Sequence, residues 1–529
     1  MTSLKNMENW VERNQKYTLQ DAEDNFAINF AGMKFTDAEL QDLAGKFELV
    51  NAEMAKIEAG AIKNPDENRK VTHFTDRAGY VESTLFGAVE AFAEDIHSGA
   101  ITGSTGKKFD ALVVNGIGGS ALGPQLMQFA MNGPYWNELS DVKRHGYLKI
   151  YFLDNTDSSG LWDLMAVMDP ETTLHLTISK SGGTQETKNN LIAVKCIYAE
   201  AGLNFAKHAV AITMKDSELD QLARSEKWLR VFEMAESIGG RTSETSIVGH
   251  LPATLAGVDF GAFLRGACKM DEWTREKDFL RNPAAMLSAM WYLAGNGKGD
   301  RNMVIVPYSD RLILFSRYLQ QLVMESLGKE LDLDGNPVYQ GISVFGNKGG
   351  TDAHAFIQQL NDGRDDFFAT FIEVLKDARR FRISGDIAMG DYLHGFLAGL
   401  CDALLNKGRQ VINIQIATLG ARELGMLIAL YERAVAMYAE LIHINAFHQP
   451  GVQAYKLAAK AVLEVRKKLN AAFADKALLS GTAAEFAKVA GLEGEELAVA
   501  GWLDKASCNN GAFRRRFDEK RGEWIYSVR

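Results

Sequence analysis

The sequence is poor in cysteine and proline, lacks an excess of basic residues, and has no long uncharged apolar run. Its four cysteines, Cys196, Cys268, Cys401 and Cys508, are far apart and form no Cys-x-x-Cys pair. That spacing excludes a zinc ribbon and a disulfide framework, and it suits a reducing cytoplasm. Only nine prolines among 529 residues, with 47% hydrophobic residues, exclude a disordered or proline-rich chain and indicate a folded, soluble one. A formal charge of -10 argues against a nucleic-acid partner, because phosphate backbones require a clustered basic surface. An anionic ligand would need local positive charge. The stretch from Met1 to Tyr17 mixes charged and polar residues without an apolar core, so no secretory signal is read. The most apolar long segment, Gly425 to Ile444, carries Glu432, Arg433 and Glu440, which makes it a core helix and not a membrane span.

What is present is alternation. A chain of 529 residues suits two to four domains. Residues 1–105 read as helices, such as Asp37 to Glu58 and Tyr80 to Ile96, that pack on a later domain. Apolar β-branched runs then alternate with helical patterns: Ala111 to Asn115, Lys149 to Leu153, Leu174 to Ile178, Ala209 to Thr213 and Phe232 to Gly240. A second cycle follows Asn282-Pro283, with strands at Met303 to Pro307, Ile342 to Phe345, Asp366 to Val374 and Gln410 to Ile416, and a long helix over Leu312 to Gly328. Such alternation predicts α/β domains, each with a parallel-rich sheet covered on both faces, at 106–280 and 281–470. The remainder, 471–529, reads as two short helices and a hairpin turning at Arg521-Gly522, a winged-helix-like extension. Its acidic and basic residues cancel, which favours a packing or interface role over DNA binding.

The chain is organised around Leu174 to Thr187, a strand that passes through hydroxyls and paired glycines into a helix. Unpaired N–H groups and the dipole at a helix start attract anions, glycines let the backbone close on them, and Ser179, Ser181, Thr184 and Thr187 add hydroxyl donors. Phosphate has acceptors for all of them. The plain alternative is a helix capped by Thr184 or Ser181. Absence of the Gly-x-x-x-x-Gly-Lys-Ser/Thr order excludes a nucleotide P-loop here. A second glycine–hydroxyl loop, Gly116 to Ser120, follows the preceding buried strand, and in parallel sheets ligands sit beyond such strand ends.

Six motifs in order carry a family resemblance: Gly116-Ile-Gly-Gly-Ser-Ala-Leu-Gly-Pro124, Ser179-Lys-Ser-Gly-Gly-Thr-Gln-Glu-Thr187, Gly239-Gly-Arg-Thr-Ser243, Gln320-Gln-Leu-Val-Met-Glu-Ser-Leu-Gly-Lys329, Gly349-Gly-Thr-Asp-Ala-His354 and Gln449-Pro-Gly-Val-Gln-Ala-Tyr-Lys456. Together they resemble the glucose-6-phosphate isomerase family, in a divergent bacterial branch. The resemblance implies two sugar isomerase (SIS) domains of α-β-α architecture, a cytoplasmic homodimer, and interconversion of glucose 6-phosphate and fructose 6-phosphate without metal or cofactor. It implies Glu325 as the base that carries a proton between neighbouring carbons, Arg241 as the cation beside the enediolate, and His354 and Lys456 as the groups that open the ring. Phosphate binding falls to Gly119, Ser120, Ser179, Lys180, Ser181 and Thr184, and Gln321 and Gln449 are expected at the sugar hydroxyls.

Each role has a chemical reason. A carboxylate suits α-proton transfer in a water-poor site. A guanidinium stabilises developing charge without entering the proton traffic. Thr351 is placed to cap a helix carrying His354, favouring neutral imidazole. The plain alternatives are an exposed Glu325–Lys329 pair at i,i+4, a surface loop for Arg241 and a solvated Lys456. Thr242-Ser-Glu-Thr245, Leu327 and His448 depart from the family's usual residues, at positions touching sugar contacts and dimer packing more than the reaction. A different SIS isomerase, or a phosphosugar sensor lacking the base, are the rival readings.

Overall fold

The structure, a computed structural model, describes residues 9–474 and 478–528. It consists of two units, Met1–His448 and Gln449–Arg529.

Among the described residues the first unit holds two large sheets and three two-stranded ones. A hairpin of β1 (Thr18–Asp21) and β2 (Phe26–Asn29) precedes the first large one. That sheet contains β3 (Ala111–Asn115), β4 (Lys149–Leu153), β5 (Thr173–Ile178), β6 (Ala209–Thr213) and β7 (Arg230–Glu233). Its spatial order is β4-β3-β5-β6-β7, and every pairing is parallel. All residues of β3, β5 and β6 are buried. Alternate side chains of β3 serve opposite faces: Leu112 and Val114 join a core with Val89, Phe92 and Leu251, whereas Val113 joins one with Leu191, Val194 and Tyr198. Helices thus cover both faces, which is why these strands read as continuous apolar runs.

The second sheet contains β8 (Asn302–Tyr308), β9 (Val344–Phe345), β10 (Phe367–Val374) and β11 (Gln410–Ile416), in the order β1-β2-β11-β10-β8-β9. The pairings among β8 to β11 are parallel, and the hairpin adds antiparallel through Asn29↔Asn413. This corrects the expectation of helices alone before residue 105. Four-residue strands give too short a period to read, yet Phe26 and Ile28 alternate into the core. Helix Asp37–Glu58 has the predicted bounds, with a capping box from Thr36 and Glu39 and one buried stripe from Leu40 to Ile57.

Helix Ala421–Leu441 is buried along nearly all its length. Its charges are paired inside: Arg77 bonds Glu432 at 2.5 Å and Asp271 at 2.5 Å, and Arg433 bonds Asp271 at 2.8 Å. Among the described residues no helix is long and apolar enough to cross a membrane.

In the second unit, helix Pro450–Ala474 is followed by β12 (Ser480–Gly481), helices Ala483–Val489 and Glu496–Asn509, and the hairpin of β13 (Phe513–Asp518) and β14 (Glu523–Val528). The sheet order is β12-β14-β13. Helix, strand, two helices and a hairpin thus follow one another in this unit. Val465 and Leu469 pack with Phe486, Val499, Leu503 and Tyr526, so this unit takes in the long helix and starts at Gln449, where the sequence suggested about residue 470.

Candidate active site

Two glycine–hydroxyl loops leave the carboxyl ends of adjacent strands. β3 and β5 are direct neighbours, with Asn115 opposite Thr177, and the chain runs from β3 outward to β4 before returning to β5 on the other side. That reversal opens a crevice at the strand ends, where ligands bind in such sheets. Asn115 Nδ2 donates to Thr187 O at 2.9 Å, docking the start of helix Gln185–Glu200 against the crevice. Thr184 occupies the cap position, but its side chain caps nothing; its Oγ1 accepts from Ser179 Oγ at 3.3 Å. The first amides of that 16-residue helix therefore lack a side-chain cap. Ser181 Oγ accepts from Gly183 N, and Thr187 is buried, so it is no surface donor as the sequence suggested.

The loop after β7 closes on both. Lys180 Nζ donates to Glu236 O at 2.6 Å and to Ile238 O at 3.2 Å. Burial, with Arg69 nearby, lowers the Lys180 pKa to about 8. A Cβ on Gly119 would stand 1.8 Å from Gly240 O, and a Cβ on Gly118, at φ +58°, would stand 3.1 Å from Gln321 Nε2. These glycines are required by close approach: the loop of Ser120 lies directly on the loop of Arg241 and beneath Gln321. Arg69, from an early hairpin, donates to Ser237 O at 3.2 Å. Lys180, Arg69 and Arg241 thus gather positive charge in a chain of net charge -10.

Arg241 is buried in a turn of 3-10 helix, Gly240–Thr242, and is not a surface loop residue. Its Nη1 donates to Ser326 Oγ at 3.1 Å and Ala446 O at 3.3 Å, and its Nη2 to His448 O at 3.4 Å. Its Nε lies 3.7 Å from Glu325 Oε2, an ion pair just beyond hydrogen-bond length. Burial lowers the arginine's pKa and Glu325 raises it. The Glu325 side chain is 20% exposed, open to a ligand from one side.

The helix bearing Glu325 is not the uniform one expected over Leu312 to Gly328. A 3-10 turn (Asp310–Leu312) and a short α segment (Phe315–Leu319) lead into a π-helical segment, Gln320–Glu325. Such wide turns are rare and cluster at functional sites. Four residues fall just short of one π turn, so Gln321 and Glu325 still share a face.

Lys329 makes no surface pair with Glu325. It is buried, and its Nζ donates to Glu325 O at 2.8 Å and Ser326 O at 2.6 Å. Burial first, then Arg241, lower its pKa from 10.5 to about 7, against the opposing pull of Glu325. Between about pH 7 and 10.5 the unfolded chain therefore binds more protons at this residue than the folded one, so its contribution to stability rises with pH across that window. Wild type is expected to gain stability relative to Lys329→Met as pH goes from about 7 to about 9, read from urea midpoints at the two values.

His354 sits in a single 3-10 turn, Asp352–His354, without a side-chain cap from Thr351, which corrects the expected capped helix. Asp352 accepts from Asn347 N and Nδ2 instead. His354 lines a cavity of about 620 Å³ with Tyr308, Thr351, Phe396 and Leu400, and no other predicted site residue lines it. Gln449 and Lys456 belong to the second unit, where Lys456 is exposed near the start of helix Pro450–Ala474. Sequence reasoning missed Arg69, which no local motif marks, and the burial of Lys329, which the i,i+4 spacing disguised as a surface pair.

Layered α/β halves with a phosphate-suited crevice beside a carboxylate and a guanidinium define a protein of the SIS type. The family model for phosphoglucose isomerase matches residues 34–405, and the chain belongs to that family. It is 49% identical over 457 residues to a glucose-6-phosphate isomerase of Synechococcus sp. (strain JA-2-3B'a(2-13)), with 84% of each covered. It is 46% identical over 469 residues to one of Geobacter sp. (strain M21), with 86% of each covered. Among solved structures it is similar to a glucose-6-phosphate isomerase from Chlamydia trachomatis D/UW-3/Cx, at 28% identity and TM-score 0.78, covering 88% of this chain and 93% of that one.

Proposed function

We propose that this chain interconverts D-glucose 6-phosphate and D-fructose 6-phosphate, as a step of glycolysis and gluconeogenesis. Glu325 takes the proton from one carbon of the open-chain sugar and returns it to the neighbouring carbon through a cis-enediol. Arg241 stabilises the oxygen that becomes negative in between. Gly119, Ser120, Ser179, Lys180, Ser181 and Thr184 hold the phosphate, which does not react; its binding positions the reacting carbons. Gln321 and Gln449 meet sugar hydroxyls, while His354 and Lys456 move protons for ring opening. The observation that carries the reading is the 3.7 Å approach of Arg241 to a mostly buried Glu325 that stays open on one side, with the loop of Gly119 packed against that of Arg241.

The working form is a homodimer in the cytoplasm. Phe381, Ile383, Ile387, Met389, Tyr392 and Phe396 are each more than 40% exposed and lie close in sequence. Phe396 lines the cavity of His354, so a second copy covering this surface would bury apolar area and enclose the histidine. Analytical ultracentrifugation is expected to give a mass twice that of the 58.3 kDa chain.

The deciding experiment is turnover of fructose 6-phosphate by the purified chain in a coupled assay. A sensor would bind the sugar phosphate without converting it, and that outcome would overturn the isomerase reading. Gly119→Ala is expected to cost about 1–3 kcal/mol by forcing the Arg241 loop away. Because the displaced loops carry both phosphate contacts and the guanidinium of Arg241, the loss should appear as a raised KM together with a lowered kcat in steady-state kinetics.

A further inference from the structure

Three residues beyond Arg241, on the same loop, Glu244 is buried among groups that the reaction does not use. It is 1% exposed. Its Cβ would lie 2.6 Å from a Cβ on Gly123, and its carbonyl oxygen 2.0 Å from one on Gly249, so glycines on two helices make room for it. Its Oε1 accepts a short hydrogen bond from Tyr318 Oη. Tyr318 stands seven residues before Glu325 on one continuous helical run.

The other neighbour is a second carboxyl. The side chains of Glu244 and Glu432 hydrogen-bond to each other. Glu432 Oε2 accepts from Arg77 Nη1 at 2.5 Å, while its Oε1 is buried and no N–H or hydroxyl of another described residue reaches it. Two ionised carboxylates offer four acceptors and no donor, so a hydrogen bond between them requires one proton. The surrounding charges say where it sits. Arg77 from helix His73–Tyr80 and Arg433 from helix Ala421–Leu441 balance Asp271 from helix Phe260–Trp273 and Glu432, while Glu58, which Arg433 also meets, is matched by Arg275 nearer the surface; a neutral Glu244 leaves no buried excess. Burial, then the charge of Glu432, raises the Glu244 pKa well above the usual carboxylate range.

We propose that Glu244 is a positioning residue: sharing one proton with Glu432 while accepting from Tyr318, it holds the loop of Arg241 against the helix of Glu325. Arg241 and Glu325 meet directly at 3.7 Å, and Arg241 also reaches Ser326. Glu244 adds a second, buried anchor between the same two segments, which fixes the angle between guanidinium and carboxylate as well as their distance. The role rests on the assignment of Glu325 and Arg241 given above.

The test uses the full chain and three variants. Glu244→Gln keeps the shape, donates an N–H to Glu432 and accepts from Tyr318; its kcat is expected within about threefold of wild type. Glu244→Leu removes both bonds, and its kcat should fall about ten- to a hundredfold while KM stays nearly constant, because misplacement costs the transition state. Tyr318→Phe cuts only the link to the Glu325 helix, so it reports even if the leucine variant fails to fold; a fall of about tenfold in kcat is expected. The infrared carbonyl stretch of a protonated buried carboxyl should be present in wild type at neutral pH and vanish in Glu244→Gln. An equal loss in the glutamine and leucine variants, wild-type kcat in Tyr318→Phe, or no such band in wild type would each overturn the proposal. Wild type that turns over no fructose 6-phosphate yet shows the band would refute the isomerase reading and leave the shared proton standing.

Discussion

Glu325→Gln is expected to lower kcat for fructose 6-phosphate by about 10²–10⁴-fold, with KM much less affected. The amide has the size of the carboxylate and keeps its place beside Arg241, 3.7 Å away. What it loses is the ability to accept a proton from carbon. Ground-state contacts with phosphate and hydroxyls come from other loops, so binding survives. Only the step in which hydrogen leaves one carbon is starved of its base. Steady-state kinetics together with direct binding of fructose 6-phosphate check both halves. Wild-type turnover in this variant would sink the assignment of the base, and lost binding would show that residue 325 anchors the sugar instead.

The largest expected effect on stability belongs to Arg77→Leu, at about 3–5 kcal/mol. The Arg77 side chain is fully buried and bonds both Asp271 and Glu432. Paired buried ions gain little over apolar residues of similar volume, but removing one partner leaves charges without compensation. Leucine in place of Arg77 strands two carboxylates that Arg433 alone cannot serve, since it also bonds Glu58. The urea midpoint of the variant should drop accordingly. An unchanged midpoint would mean that water or protonation replaces the guanidinium at no cost.

Much of the fold was legible because buried parallel strands write themselves as unbroken apolar runs: β3, β6 and β11 lie where Ala111 to Asn115, Ala209 to Thr213 and Gln410 to Ile416 predicted them. The glycine–hydroxyl loops were legible for the same kind of reason, since close approach leaves room for nothing larger than glycine. The hairpin of β1 and β2 was not, because four residues give no period and its partner strand lies almost four hundred residues on. Glu432 and Arg433 marked a core helix, but Arg77 and Asp271 came from distant helices that no local pattern connects to it. Arg241 and Glu325 were nameable by motif, yet their separation depends on how two sheets share one crevice. The setting of His354 was misread because Thr351 resembled a cap and the chain makes only one 3-10 turn there.

The wide turn at Gln320–Glu325 has a consequence for the length of this segment. Removing one residue, Val323 for instance, would let the coil tighten to ordinary pitch, with better backbone bonds than before. Four ordinary steps turn the chain about as far as the five wider steps they replace, so the carboxylate would keep its bearing toward the guanidinium. Such a protein should fold and still turn over sugar phosphate, which makes the wide turn the place where this segment absorbs one residue more than its geometry requires.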